Sequence, residues 1–318
     1  MTSIVFMGTP EFAVPILEGL IDAEYEIKSV VTQPDRPVGR KHKLRASPVK
    51  KLAVKNNIPV LQPEKIGGSQ EMQKVIGIAP DLIVTAAYGQ FLPTKLLESA
   101  RIAAINVHGS LLPKYRGGAP VQYSLMNGDD KTGVTLIYMV KKMDAGAILG
   151  QAELPITASD DTGSLFKKLS FIGRDLLLKK LPALIQGTLP AREQKEQQVV
   201  FAPTIKPEQE RLNLDQTAQG LDWKIRALRP APGAFFEDFA GKRTKLWDID
   251  PLEKKTTQAP GTIVALSKHH LEVAAAGGTV YQVNDLQPAG KQRLTITDFL
   301  NGSGHSLEKG QVLIKDGE

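Results

Sequence analysis

Residues 105–120 read INVHGSLLPKYRGGAP, and the fold turns on how this stretch is taken. The apolar run 102–107 closes on an amide, an imidazole and a glycine: Asn106, His108 and Gly109. Side chains two apart on an extended strand share a face, so Asn106 and His108 point the same way. A strand that ends like this opens into a site, because open α/β sheets bind ligands at the carboxyl ends of their strands. A lone histidine after an apolar strand is equally at home as a satisfied structural side chain. The rest of the chain has to decide.

Working back toward the start, residues 3–6 form a short apolar strand, and Gly8-Thr9-Pro10-Glu11 turns it into a helix carrying Phe12, Val14, Ile16, Leu17 and Leu20. The opening is Rossmann-like, yet only Gly8 sits in the turn, so the three-glycine dinucleotide fingerprint is missing. Strands are expected at 27–32, 59–61, 82–86 and 102–107, alternating with helical stretches that include 69–78. This is the pattern of a parallel sheet with right-handed crossovers. Ser47-Pro48 supplies a helix N-cap and a first-turn proline.

Between strand and cap, residues 33–45 lose all periodicity and gather Arg36, Arg40, Lys41, Lys43 and Arg45 against the single acid Asp35. Such a loop either grips phosphates or is simply solvated surface. Past the 82–86 strand, Tyr88, Gly89, Phe91 and Leu92 form either a second wall of the site or a loop that caps the core.

Beyond the central stretch, residues 133–140 alternate as a strand, and a turn through Asp144 leads to another strand at 148–154. An acid before Ala-Gly is ordinarily a turn former, so a chemical role for Asp144 depends on its meeting His108 in space. A long helix follows from 161 to about 187, with Leu165, Phe166, Leu169, Ile172, Leu176 and Leu177 as its apolar stripe. Residues 190–207 show prolines and a charged, glutamine-rich run without amphipathic period, and read as a linker. From 208 to 318 a helix and then short strands at 244–249, 261–265, 271–275 and 279–284 suggest a small barrel of the oligonucleotide-binding type. The expected organisation is a Rossmann-like α/β catalytic domain over 1–189, a linker over 190–207 and an OB-like β-barrel domain over 208–318.

Composition narrows the chemistry. The 318 residues are 42% hydrophobic and 23% charged, ordinary for a globular chain. A net charge of +6 leans toward polyanionic partners without establishing one. No cysteine and only five histidines, with no HExxH spacing, leave nitrogen and oxygen groups to do the work and make a metal centre unexpected. No stretch reaches the roughly 20 apolar residues of a membrane span, and residues 1–6 are too short for a secretory core, so the cytoplasm is the expected compartment. A monomer is expected.

INVHGSLLPKYRGGAP followed by GVTLIYMVKKMDAGAIL resembles the formyltransferases that use 10-formyltetrahydrofolate. The likeness extends through FMGTPEFAVPILEGL, TQPDRPVGR with SPVK after it, AYGQFLP, and LQPAGKQRL in the second domain. The basic insert and second domain are similar to the branch of that family that formylates charged initiator tRNA. The resemblance implies that Asn106, His108 and Asp144 are the catalytic set, and that Ser110, Leu111, Leu112 and Pro113 form the folate-binding turn. It implies too that the loop holding Arg40 meets the tRNA acceptor end and that the second domain steers the tRNA. The chain departs from the pattern at Asn213-Leu214, where an acid and Trp are frequent, and at Ala231, where Trp is common between the prolines. In the expected reaction Asn106 and His108 donate to the oxyanion, while Asp144 holds the His108 tautomer and passes on the amine proton. Formyl transfer to a small amine, such as glycinamide ribonucleotide or an amino sugar, and an inactive RNA-binding module are the alternatives.

Overall fold

The computed structural model describes residues 1–38, 43–237 and 241–314. They fall into two compact units, one of residues 1–120, 131–155 and 164–203, the other of 121–130, 156–163 and the chain from 204 onward.

The first unit is built on seven strands: β1 (Ser3–Gly8), β2 (Glu26–Val31), β3 (Val60–Leu61), β4 (Leu82–Ala86), β5 (Ala103–His108), β6 (Lys131–Tyr138) and β7 (Ile148–Pro155). Their order is β7-β6-β5-β4-β1-β2-β3. The β1–β2, β1–β4, β2–β3 and β4–β5 ladders are parallel, as the alternation with helices dictates, and β6 and β7 join antiparallel at one edge. Strand β1 is buried along its whole length, which is why it reads as an unbroken apolar run. Val5 and Met7 pack on one face with Met72, Val75, Leu96 and Leu97. The Ser47 hydroxyl accepts from Lys50 N at 3.1 Å and starts the helix Pro48–Lys55, as the sequence indicates.

The long helix Thr162–Ile185 determines which face of β5 is free. A Cβ added at Gly173 would stand 2.9 Å from Val107 Cγ1, so the helix lies flush on the Val107 side of the strand. Asn106 and His108 point to the opposite side. Residues 190–203 of the segment expected to be a linker lie along this unit. Arg192 exchanges backbone hydrogen bonds with Ile148 at 2.8 and 2.9 Å, and Val200–Phe201 pairs in parallel with Lys114–Arg116. Main-chain bonds, not an apolar face, hold it there, and hydrophobic period therefore gives no sign of it.

The second unit carries β8 (Phe235–Glu237), β9 (Arg243–Lys255), β10 (Ile263–Ser267), β11 (His270–Ala274) and β12 (Thr279–Gln287) in the order β8-β9-β12-β11-β10, all antiparallel, with Leu294–Thr295 paired on β12. The helix Ala218–Leu228 contributes Leu221, Ile225 and Leu228 to the same core as Leu246, Val273, Tyr281 and Val283. Among the described residues no ladder joins β8 to β10, as in a partly open barrel, and the strands enclose one core. Gly128 holds φ at +65°, and a Cβ there would sit 2.4 Å from the Trp223 ring. Both the left-handed backbone and the ring oppose a side chain. Gly128→Ala is expected to cost at least about 2 kcal/mol, read as a lower urea midpoint of unfolding.

No helix among the described residues is long and apolar enough to cross a membrane.

Candidate active site

The geometry that the reading of Asp144 depends on is present. Strand β6 runs antiparallel to β5, with Tyr138 opposite Ile105, so the following loop leaves at the level of the middle of β5 and must fold back to reach its end. It brings Asp144 Oδ1 to 3.7 Å from His108 Nδ1 and 3.4 Å from Asn106 Nδ2. The other carboxylate oxygen, Oδ2, accepts from the Gly117 N–H at 2.9 Å. His108 is 6% exposed and the Asp144 side chain 14%, so the pair is shielded from bulk water while one edge stays open. Charge interactions weigh far more there than on the surface.

Each of these groups is oriented by a neighbour. Thr85 on β4, opposite Asn106 in the ladder, donates its hydroxyl to Asn106 Oδ1 at 2.7 Å. That bond fixes which end of the amide carries the NH2 and turns Nδ2 toward Asp144. His108 Nε2 lies 2.9 Å from the Tyr115 carbonyl. A carbonyl only accepts, so Nε2 carries a proton and Nδ1 is the nitrogen turned to the carboxylate. The sequence reading gave the choice of tautomer to Asp144. The structure gives it to the Tyr115 main chain, and leaves the Asp144 carboxylate beside Nδ1.

The residues expected to line a folate slot divide in two. Ser110 is fully buried, its hydroxyl donating to Lys114 O at 2.7 Å and its carbonyl accepting from Thr135 Oγ1 at 2.6 Å. Leu112 packs with Ile137 and Ile148, while its N–H and carbonyl bond Thr135 and Gln151. Tyr88 and Leu92 belong to the core under the sheet. Burial, with the Glu71 carboxylate adding to it, pushes the Tyr88 phenol up to about 12, so it stays a neutral core group. These four side chains are buried and tied into the turn and the loop. Leu111 and Pro113 are half-buried, Gly89 is exposed, and Phe91 is 59% exposed, large for an apolar side chain. Pro113 follows a cis peptide bond, and its carbonyl accepts from Val200 N.

Of the basic cluster, Arg36 and Arg45 sit opposite each other on a small hairpin, Arg36–Val38 with Lys43–Arg45. Both are exposed, and Arg36 pairs with Glu64 at 2.5 Å. An exposed pair of this kind exchanges readily for another anion. Arg40, Lys41 and the side chain of Lys43 lie outside the described residues.

Three groups that the sequence did not single out complete the surroundings: Thr85, Arg116 and Gln194. Arg116 is 1% exposed, and its guanidinium donates to Gln194 Oε1 and Glu196 Oε1, each at 3.0 Å. A bond from Lys142 and then the bond from Arg116 hold the Glu196 carboxyl below the usual carboxylate range.

Comparison with known proteins places the chain in a family. Residues 1–181 match the family model described as formyl transferase, and residues 204–304 match that of the formyl transferase C-terminal domain. The chain is 65% identical over 318 residues, all of both proteins, to the methionyl-tRNA formyltransferase of Ligilactobacillus salivarius. It is 60% identical over 316 residues, 99% of each, to that of Lactiplantibacillus plantarum. Among solved structures, the N-formyltransferase of Helicobacter canadensis, in complex with folinic acid and dTDP-3-aminofucose, shares the fold with a TM-score of 0.66 at 17% identity, over 91% of this chain and all of that one. HypX of Aquifex aeolicus, in complex with tetrahydrofolic acid, does so with a TM-score of 0.64 at 18% identity, over 97% of this chain and 48% of that one. With both family models matched in order along a chain whose strand β5 ends in the amide and imidazole described above, this protein belongs to the formyl transferase family.

Proposed function

We propose that the protein transfers the formyl group of 10-formyltetrahydrofolate to the α-amino group of methionine esterified to initiator tRNA, for translation initiation. The observation that carries the chemistry is the meeting of Asn106, His108 and Asp144 on one face of β5. The full-length likeness to methionyl-tRNA formyltransferases supports the choice of acceptor.

The amine is its own nucleophile, since α-amino groups titrate near about 8 and a neutral fraction is available at pH 7. Attack forms a C–N bond to the formyl carbon and places negative charge on its oxygen. Asn106 Nδ2 has a second N–H beyond the one aimed at Asp144, and His108 Nδ1, when protonated, offers a charged donor. Each is worth about 3 kcal/mol at a developing oxyanion in a shielded site. Collapse breaks the bond from the formyl carbon to the folate nitrogen. That nitrogen takes up a proton as it leaves, the amine gives one up, and the Asp144 carboxylate beside Nδ1 carries it between them.

In this reading Leu111, Pro113, Gly89 and Phe91 border the folate ring with apolar surface. Ser110, Leu112, Tyr88 and Leu92 hold those elements in shape. Residues 1–189 carry catalysis, 190–207 connect, and 208–318 steer the tRNA. The protein acts as a monomer in the cytoplasm. Arg36, Arg40, Lys41, Lys43 and Arg45 contact phosphates of the acceptor end. Arg45→Ala is expected to raise the KM for tRNA and to flatten the dependence of log affinity on log salt by about one contact's worth. An unchanged salt slope would remove Arg45 from the interface.

The test of the function is direct. Purified protein is incubated with 10-formyltetrahydrofolate and methionine-charged initiator tRNA, elongator tRNA or an amino sugar, and the amine is scored for formylation. The expected result is formylation of the initiator alone. Formylation of the sugar, or binding of tRNA without turnover, would replace this reading with one of the alternatives.

A further inference from the structure

Asp144 is held in an unusual conformation, and the residues that hold it are visible. Its φ is +49°, in the left-handed region, which most residues with a Cβ avoid and Asp enters more readily. Its carboxylate is anchored by Gly117 N, but its main chain is anchored separately, by Gln194. Gln194 Nε2 donates to the Asp144 carbonyl at 2.7 Å and to the Gly146 carbonyl at 2.8 Å. Gln194 Oε1 accepts from Arg116 Nε at 3.0 Å. Two carbonyls on one side and a guanidinium on the other leave a single consistent orientation for this amide.

The arrangement closes on itself. Residues 115–117 supply the Tyr115 carbonyl to His108 and the Gly117 N–H to Asp144. Arg116, between them, is wholly buried and reaches across to Gln194 and Glu196. Glu196 Oε2 in turn accepts from Lys142 Nζ at 2.8 Å, at the other end of the loop that carries Asp144. Residues 194–196 are themselves tied down on both sides, by the Arg192–Ile148 pair and by the Val200–Phe201 strand. The loop that carries Asp144 is thereby gripped at residues 142, 144 and 146.

We propose that Gln194, oriented by the buried Arg116, is a positioning residue for formyl transfer: it sets the Asp144 carboxylate against His108 by gripping the Asp144 and Gly146 carbonyls. The proposal rests on the catalytic reading of Asp144 given above. Gln194 touches no reacting atom and acts only through the loop.

The test uses the full-length protein with Gln194→Met, which keeps the length and loses both donors, and Gln194→Ala as a second variant. Each is expected to lower kcat about 10- to 100-fold, the cost of a misplaced catalytic group, with the KM for tRNA and for folate within about threefold of the parent. In an Asp144→Asn background the same change should add less than about a twofold loss, because the two residues act through one carboxylate. A merely structural role would lower activity equally in both backgrounds, and that result overturns the proposal. So does an unchanged kcat, a change confined to KM, or failure of both variants to fold. If Asp144→Asn itself leaves kcat untouched, the catalytic reading falls and takes this one with it. A slow Asp144→Asn beside a normal Gln194→Met overturns the clamp alone.

Discussion

Asp144→Asn should slow single-turnover formyl transfer by about 10²-fold, less than the roughly 10⁴-fold loss known where the same change also spoils the tautomer of a catalytic histidine. The substitution is nearly isosteric, so the loop keeps its shape and Gln194 keeps its two carbonyl acceptors. What changes is charge. Oδ1 stands 3.7 Å from His108 Nδ1, too far for a hydrogen bond and close enough for a strong electrostatic interaction in a shielded site. The histidine tautomer is set by Tyr115 and survives the change, which separates this case from one where the acid also selects the tautomer. The loss should therefore fall on kcat, with the affinity for charged tRNA nearly intact. A rate within threefold of the parent would show that the carboxylate serves the loop and not the reaction.

The strands and their direction could be read directly because burial on both faces leaves a plain mark. Residues 3–8 and 82–86 are buried throughout and mostly apolar, Ser3 and Thr85 being the polar members, and each strand is central in the sheet. The shared face of Asn106 and His108 follows from the two-residue repeat alone. That Asp144 meets them does not. It depends on β6 entering antiparallel, which has no local signature, and on how far the loop folds back, which the turn-forming Asp144 alone does not fix.

The segment at 190–203 was hidden for a related reason. Polar side chains and main-chain bonds hold it, so its glutamines and glutamates look like those of any solvated connector until Gln194 and Glu196 are seen against Arg116. The turn at residues 110–113 is ambiguous for another reason: core and ligand pocket demand the same apolar side chains, and Leu112 and Tyr88, both buried here, fit either by sequence alone.

Asn106→Ala is the second change with a large expected effect, about 10²- to 10³-fold in kcat, the cost of removing one donor from an oxyanion site. The fold should tolerate it. Thr85 loses its acceptor at 2.7 Å, but the Ile105 carbonyl and Met139 Sδ lie at 3.3 Å from the same hydroxyl, so the buried O–H is not orphaned. Asp144 keeps the Gly117 N–H, and its contact with Asn106 at 3.4 Å is long enough that little holding force goes with it. The donor is aimed at charge that exists only once the amine has attacked, so the KM for both substrates should stay within about threefold while kcat collapses. Asn106→Asp sharpens the point: it keeps the size, puts a second carboxylate beside Asp144, and places negative charge where the oxyanion must form. It should be at least as slow as the alanine variant. An Asn106→Asp protein that outpaces Asn106→Ala would mean that the amide works as a spacer and that the oxyanion is stabilised elsewhere.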